Sequence, residues 1–271
     1  MFFSNKTKTG LSPLLLSAGA AWALLAAPAA AALEEAGPQR PAECRRAEAV
    51  APFLGLPFRA DGALNADGQW VTFTQPEKAL RTPGFNCSGF AVAAAARLAG
   101  RNFDLTAVSR DRRGDSGPGA ALGQDWDFGL DLILNLTENL PRRFLPPIDE
   151  APAPPLFVYA PRLATGLGID LHSPIFEKYL HELQPGRFAF FVFSKPDRRF
   201  PAGVSYYHVG LIIPESPEAI WLYHSTAGAR THRFNLAAAG DLARLRRYFP
   251  PTKSGERRVL MVEVAPEDGC L

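Results

Sequence analysis

Cysteine is scarce in this chain, with 3 among 271 residues, and histidine is nearly so, with 5. Three cysteines leave no clustered thiolate set of the kind that holds structural zinc, and no H-E-x-x-H pairing of histidines replaces it. An excess of either charge is also missing: 29 Lys and Arg stand against 27 Asp and Glu. A surface so balanced gives no electrostatic reason to bind nucleic acid. Internal repeats are lacking, and after the first 32 residues no apolar run is long enough to span a bilayer. The length suits one large domain or two small ones, and 47% apolar residues suffice for a sizeable core.

The first 32 residues read as an export signal. Lys6 and Lys8 precede an apolar stretch from Leu14 to Ala27, Pro28 interrupts it, and the small residues of "AAAAL" offer a cleavage point after Ala32. The alternative is an uncleaved N-terminal anchor. Cleavage predicts a periplasmic or secreted protein with no membrane attachment afterwards and a net charge near zero. Residues 33–44 form a polar lead-in. In an oxidising compartment thiols tend to pair. Pairing of Cys44 with Cys270 would leave Cys87 as the odd, free thiol, a candidate for reactivity.

Along the mature chain, "CRRAEAVAPFLG" suggests a first helix and "WVTF" a short strand. Residues 88–99 carry a helical pattern closed by Gly100. "DWDFGLDLILNLTENLP" suggests another helix, and "PPIDEAPAPPLF" an extended proline-rich bridge. Ser173 and Pro174 cap and open a helix whose apolar face is Ile175, Phe176, Tyr179, Leu180 and Leu183. Four strands follow, "RFAFFVFS", "YYHVGLII", "AIWLYHST" and "VLMVEVA", with the helix "AAAGDLARLRRYF" between the last two. Helices first and adjacent strands later predict an α+β domain with an antiparallel sheet.

Two features point to chemistry. Cys87 heads a helix, where unpaired backbone N–H groups and the dipole favour a thiolate nucleophile. Ser88 and Gly89 are small enough to admit a carbonyl. A structural thiol in an alanine-rich core helix is the competing reading. The second feature is the hairpin "YYHVGLIIPESPEAIWLYHST". Symmetric closure of its loop, "PESPE", sets Ile213 opposite Ala219 and His208 opposite His224, on one face of the sheet. Two adjacent imidazoles supply a base and the group that orients it. Core histidines, or a zinc site completed by a third ligand, are the alternatives. His172, His181 and His232 lack such company, and His181 is expected on a surface.

These residues resemble the NlpC-type cell-wall cysteine peptidases. "FLGLPFRADG" is similar to that family's opening segment Leu-Gly-x-Pro-Tyr, and "FNCSGF" to its nucleophile motif Asp-Cys-Ser-Gly-Phe. "LQPGRFAFFVF" resembles Leu-x-Pro-Gly-Asp-Leu, and "HVGLII" and "YHSTAG" resemble the strands bearing the base and the third polar residue. The ordered set spans roughly residues 45–230. It implies a papain-like fold over 45–271, with the nucleophile helix packed on an antiparallel sheet. It further implies an enzyme that cuts amide bonds in peptidoglycan stem peptides without metal or organic cofactor. Cys87 would be nucleophile, His208 base and His224 third member, with Phe58, Asn86 and Ser88 near the substrate.

The chain also departs from the pattern. Phe58 stands where relatives have tyrosine and Asn86 where they have aspartate, which removes a charge-assisted grip on a free stem-peptide amine. Arg187 replaces an aspartate. The interval from Cys87 to His208 is long, which predicts a helical and loop insertion at about 101–172 that caps the cleft or binds a protein partner, with Trp126 its contact to sugar or peptide or else a buried anchor. A muramoyl-alanine amidase, an antibacterial wall-degrading toxin and a catalytically silent wall- or partner-binding relative are the rival functions.

Overall fold

The computed structural model describes residues 46–117, 125–148, 167–200, 202–253 and 255–265. The export signal, the lead-in, the Cys44–Cys270 pairing and most of the proline-rich bridge lie outside the described residues. The protein is mixed α/β, with an antiparallel sheet and six α-helices among the described residues.

The chain opens with α1 (Arg46–Val50), a 3-10 turn (Ala51–Phe53) and the small hairpin β1 (Gly62–Leu64) and β2 (Trp70–Thr72). Then come α2 (Cys87–Ala99), α3 (Leu105–Val108), α4 (Phe128–Leu136), β3 (Arg142–Leu145), β4 (Ile169–Asp170) and α5 (Pro174–His181). The second half supplies β5 (Phe188–Pro196), β6 (Val204–Ser216), β7 (Ala219–His224), β8 (His232–Asn235), α6 (Ala239–Tyr248) and β9 (Arg258–Val264). The main sheet runs β3-β9-β5-β6-β7-β8, and β4 joins it by pairing with β9.

Both faces of this sheet are covered, which explains why β5 reads as an unbroken apolar run. Its residues alternate: Phe188, Phe190 and Val192 enter the core that holds α2 and α4, while Ala189, Phe191 and Phe193 enter the core that holds α5 and α6. In β6 a bulge interrupts the alternation. Phe193 pairs with His208 and Ser194 with Tyr206, leaving Tyr207 as the extra residue. Tyr206 and Val209 therefore both face the α2 core, whereas Tyr207 packs on the other one.

The region read as an insertion supplies parts of the main body. β3 and β4 both extend the sheet through β9, and α4 packs against β5 and β6. Arg143 reaches the fully buried Glu263 of β9 at 2.9 Å, and Arg187 approaches the same carboxylate at 3.8 Å. The Gln184 backbone N–H donates to its other oxygen at 2.7 Å. The arginine at 187 thus has a structural partner that nothing in its sequence neighbourhood announced. Ser173 and Pro174 cap and open α5 as expected, but Ile175 is 54% exposed; only Phe176 and Leu180 of that helix are buried.

The helix that begins at Cys87 ends as its sequence foretold, with Gly100 in the left-handed region at φ 60°. Its start depends on a second glycine. A Cβ at Gly89 would stand 2.1 Å from the Gly62 carbonyl oxygen and 2.9 Å from the Ala63 Cα, so the first turn of α2 lies directly on β1. Gly89→Ala is expected to push the helix start away and destabilise the fold by about 1–3 kcal/mol, as overpacking does. Urea denaturation measures this, and an unchanged midpoint would contradict the close approach.

Candidate functional site

Cys87 is the first residue of α2, and Asn86 caps it. The Asn86 Oδ1 accepts from the Gly89 N–H at 2.6 Å, its Nδ2 donates to the Ala60 carbonyl at 3.3 Å, and its own N–H donates to Gly62 at 3.0 Å. Both ends of the Asn86 amide are therefore used in holding the nucleophile turn. Phe85, just before, is tied across the molecule: the Ser225 hydroxyl donates to its carbonyl at 2.9 Å. Ser225 directly follows His224, so the start of α2 hangs from the end of β7. Phe58 joins the same place through a bridge to Phe85, and its N–H donates to the Ala229 carbonyl at 3.2 Å.

The thiol lies against the backbone N–H of Val209, the residue after His208. Ser88 is buried, with its hydroxyl 3.9 Å from the sulfur. Burial raises the Cys87 thiol above its ordinary pKa, and the N–H groups of Val209, Ser88 and Cys87 together with the Ser88 hydroxyl oppose that rise without reversing it. The helix start alone predicted a lowered value; desolvation outweighs the dipole here. Among the described residues no hydrogen bond joins Cys87 to a histidine.

The histidines form a chain rather than a pair. His208 Nε2 lies 2.9 Å from His224 Nδ1, and His224 Nε2 lies 2.9 Å from His232 Nε2. The far nitrogen of His232, Nδ1, meets the Arg230 carbonyl oxygen at 2.6 Å. His208 and His224 do share a face, but they are not directly opposed. β6 continues to Ser216, a bulge between Pro214 and Ser216 leaves Glu215 unpaired, and the register becomes Ile213 with Trp221 and Leu211 with Tyr223. The expected pairing thus slips by two residues, which preserves the face and makes the contact diagonal. The residue directly opposite His224 is His232. Reading His232 as a histidine without company is corrected accordingly. The short strand "HRFN" opposite "LYH" was the available signal, but its mixed polarity hid it.

The rings sit in an aromatic shell. Phe191, Phe193 and Phe249 surround His208, while Phe234 and Tyr248 flank His224 and His232. Burial, then the charges of His232 and Arg257, push His208 down to about 3. Burial and the two neighbouring imidazoles also hold His224 well below its usual value. Both rings are neutral at physiological pH. With both nitrogens of His224 engaged by other rings, it has no lone pair to give a zinc ion.

Trp126 is not brought to this site. It is 1% exposed, its indole N–H donates to Asp115 at 3.3 Å, and its ring lies beside Tyr206 and Arg113 on the α2 side of the sheet. The expected sugar or peptide contact is therefore corrected to the other reading, a buried anchor. It is set among acids: burial, then Asp131 and Asp115, push the neighbouring Asp127 up to about 8. His181 is exposed at the end of α5, and His172 bonds the Phe249 carbonyl at 3.0 Å.

Comparison with protein-family models, with curated proteins and with solved structures found no match. The site must therefore be read from its own chemistry: a thiol at a capped helix start, a backbone N–H facing it, and a line of three imidazoles beginning one residue away along β6. A raised thiol pKa means the resting sulfur is protonated at neutral pH. The thiolate absorbance of Cys87, taken as the ultraviolet difference between wild type and Cys87→Ala, should grow only as pH rises past the ordinary thiol value of about 8.5. A difference spectrum already at its plateau in mild acid would show a thiolate–imidazolium pair and contradict this.

Proposed function

We propose that the protein is an exported cysteine hydrolase of NlpC type, with a papain-like fold, that cleaves an amide bond in peptidoglycan stem peptides through an acyl-enzyme. The observation that carries this reading is the convergence of Cys87, at its capped helix start, on the strand residue next to His208, whose Nε2 is already bound by His224. A base with one nitrogen oriented by a partner, leaving the other to take the thiol proton, is what thiol acylation requires.

The chemistry follows from the neutral resting state. His208 takes the thiol proton as the sulfur attacks the amide carbonyl, so C–S bond formation and proton transfer are coupled. The Cys87 backbone N–H, at the helix start, donates to the oxyanion. His208 then gives its proton to the leaving amine as the C–N bond breaks. Water, deprotonated by the same nitrogen, releases the acyl group and restores the thiol. Asn86 is fully engaged as a cap and Phe58 has no hydroxyl, so a free stem-peptide amine finds no charged grip here.

A second reading, a catalytically silent wall- or partner-binding relative, draws support from the raised thiol and from the absence of a sulfur–imidazole hydrogen bond among the described residues.

Digestion of purified peptidoglycan, with products identified by mass, separates the two readings. Wild type should release stem fragments. Cys87→Ala should release none, and His208→Ala should slow release by roughly a hundredfold or more. Synthetic stem peptides with free and acetylated amino termini should be cut at comparable rates. Identical product profiles for wild type and Cys87→Ala would remove the hydrolase reading.

A further inference from the structure

We propose that His232 is the outer end of a proton relay, His208–His224–His232, which orients the base and carries its positive charge away from the buried site. The catalytic consequence rests on the hydrolase reading above; the relay itself does not.

The direction follows from one backbone atom. The Arg230 carbonyl can only accept, so the His232 nitrogen facing it, Nδ1, carries the hydrogen. A neutral ring then has its lone pair at Nε2. The 2.9 Å contact with His224 needs one proton between the two nitrogens, and His224 Nε2 must supply it. That leaves a lone pair on His224 Nδ1, which accepts from His208 Nε2 at 2.9 Å. His208 is thereby left with its lone pair on Nδ1, the nitrogen not taken by His224. A carbonyl at the strand edge thus selects the tautomer of a base two rings away.

The same chain moves charge. When Nδ1 of His208 takes a proton, its Nε2 proton passes to His224 Nδ1, and the His224 Nε2 proton passes to His232 Nε2. One proton has entered and none has left, so the positive charge now rests on His232, which holds a hydrogen on each nitrogen. His208 and His224 are 6% and 0% exposed, while His232 is only partly buried. A cation is costly at the first two positions and is partly hydrated at the third. Among the described residues, the only other titratable group whose ring packs against His232 is Tyr248, which also flanks His224 and is itself held by Thr226 at 2.8 Å. The positive charge of the Arg257 guanidinium further opposes a cation on His208. The reverse shift restores the His208 Nε2 proton and returns the charge to His208, whose Nδ1 proton then goes to the leaving group.

Long-range proton–nitrogen correlation spectra of the uniformly nitrogen-labelled protein at neutral pH test the relay without substrate. His208 and His224 should be protonated at Nε2 and His232 at Nδ1. An Nδ1 proton on His224 would overturn the proposal. Two variants then separate orientation from charge transfer. In His232→Gln a side-chain oxygen can still accept from His224, so the wild-type tautomers of His208 and His224 should persist while kcat on stem peptides falls roughly tenfold or more with KM unchanged. In His232→Phe the tautomers should scramble as well. Full kcat in His232→Gln would overturn the charge-transfer step, whereas wild-type tautomers in His232→Phe would overturn the orienting role. A wild type inactive on every wall substrate, yet showing the expected tautomers, would sink the hydrolase reading and leave the relay standing.

Discussion

Imidazoles enclosed by phenylalanine rings have little option but neutrality. Phe191, Phe193 and Phe249 exclude water around His208, and the same apolar layer continues past His224. Each neutral ring has one proton and one lone pair. Set in line, such rings can satisfy one another only if every proton points the same way. The aromatic packing of β5, β6 and α6 thus favours the neutral rings, while the choice between the two directions is left to what the outer ring meets, the Arg230 carbonyl.

The nucleophile obeys a different constraint. Its helix must start at the point where β7 has ended and β6 runs on. Three devices hold it there: the Asn86 cap, the direct contact of Gly89 with β1, and the Ser225 hydroxyl on the Phe85 carbonyl. All three involve residues of the short "FNCSGF" stretch, whose small and polar members are explained by geometry as well as by chemistry. The third links positions 140 residues apart, and it couples the end of the histidine strand to the start of the cysteine helix.

Much of this was legible in the sequence, for identifiable reasons. The caps and stops of α2 and α5 are local events, and Asn86, Gly100, Ser173 and Pro174 signal them directly. The four long strands of the second half stand out through apolar content. What escaped were features set by partners distant in the chain. The extra residues Tyr207 and Glu215 produce bulges that no alternation pattern marks, and the second of them displaced the His208–His224 register. β8 is four residues of mixed polarity, so His232 looked isolated. Trp126, between two aspartates, read equally as a ligand contact or a buried anchor; its burial beside Tyr206, with acids drawn inside around it, decides for the anchor. β3 carries Arg142 and Arg143, which argue against a sheet position until Glu263, buried on the neighbouring strand, is seen to receive one of them.

The two short strands on β9 have an architectural consequence. β3 pairs with the Met261–Val264 part of β9 and β4 with Arg258 and Val259, so the chain departs from one end of a strand and comes back to its other end. Such an excursion has both feet planted on a single rail. Both anchoring strands pair with β9 alone among the described strands, so the order β9-β5-β6-β7-β8, which carries the rings, is complete without them.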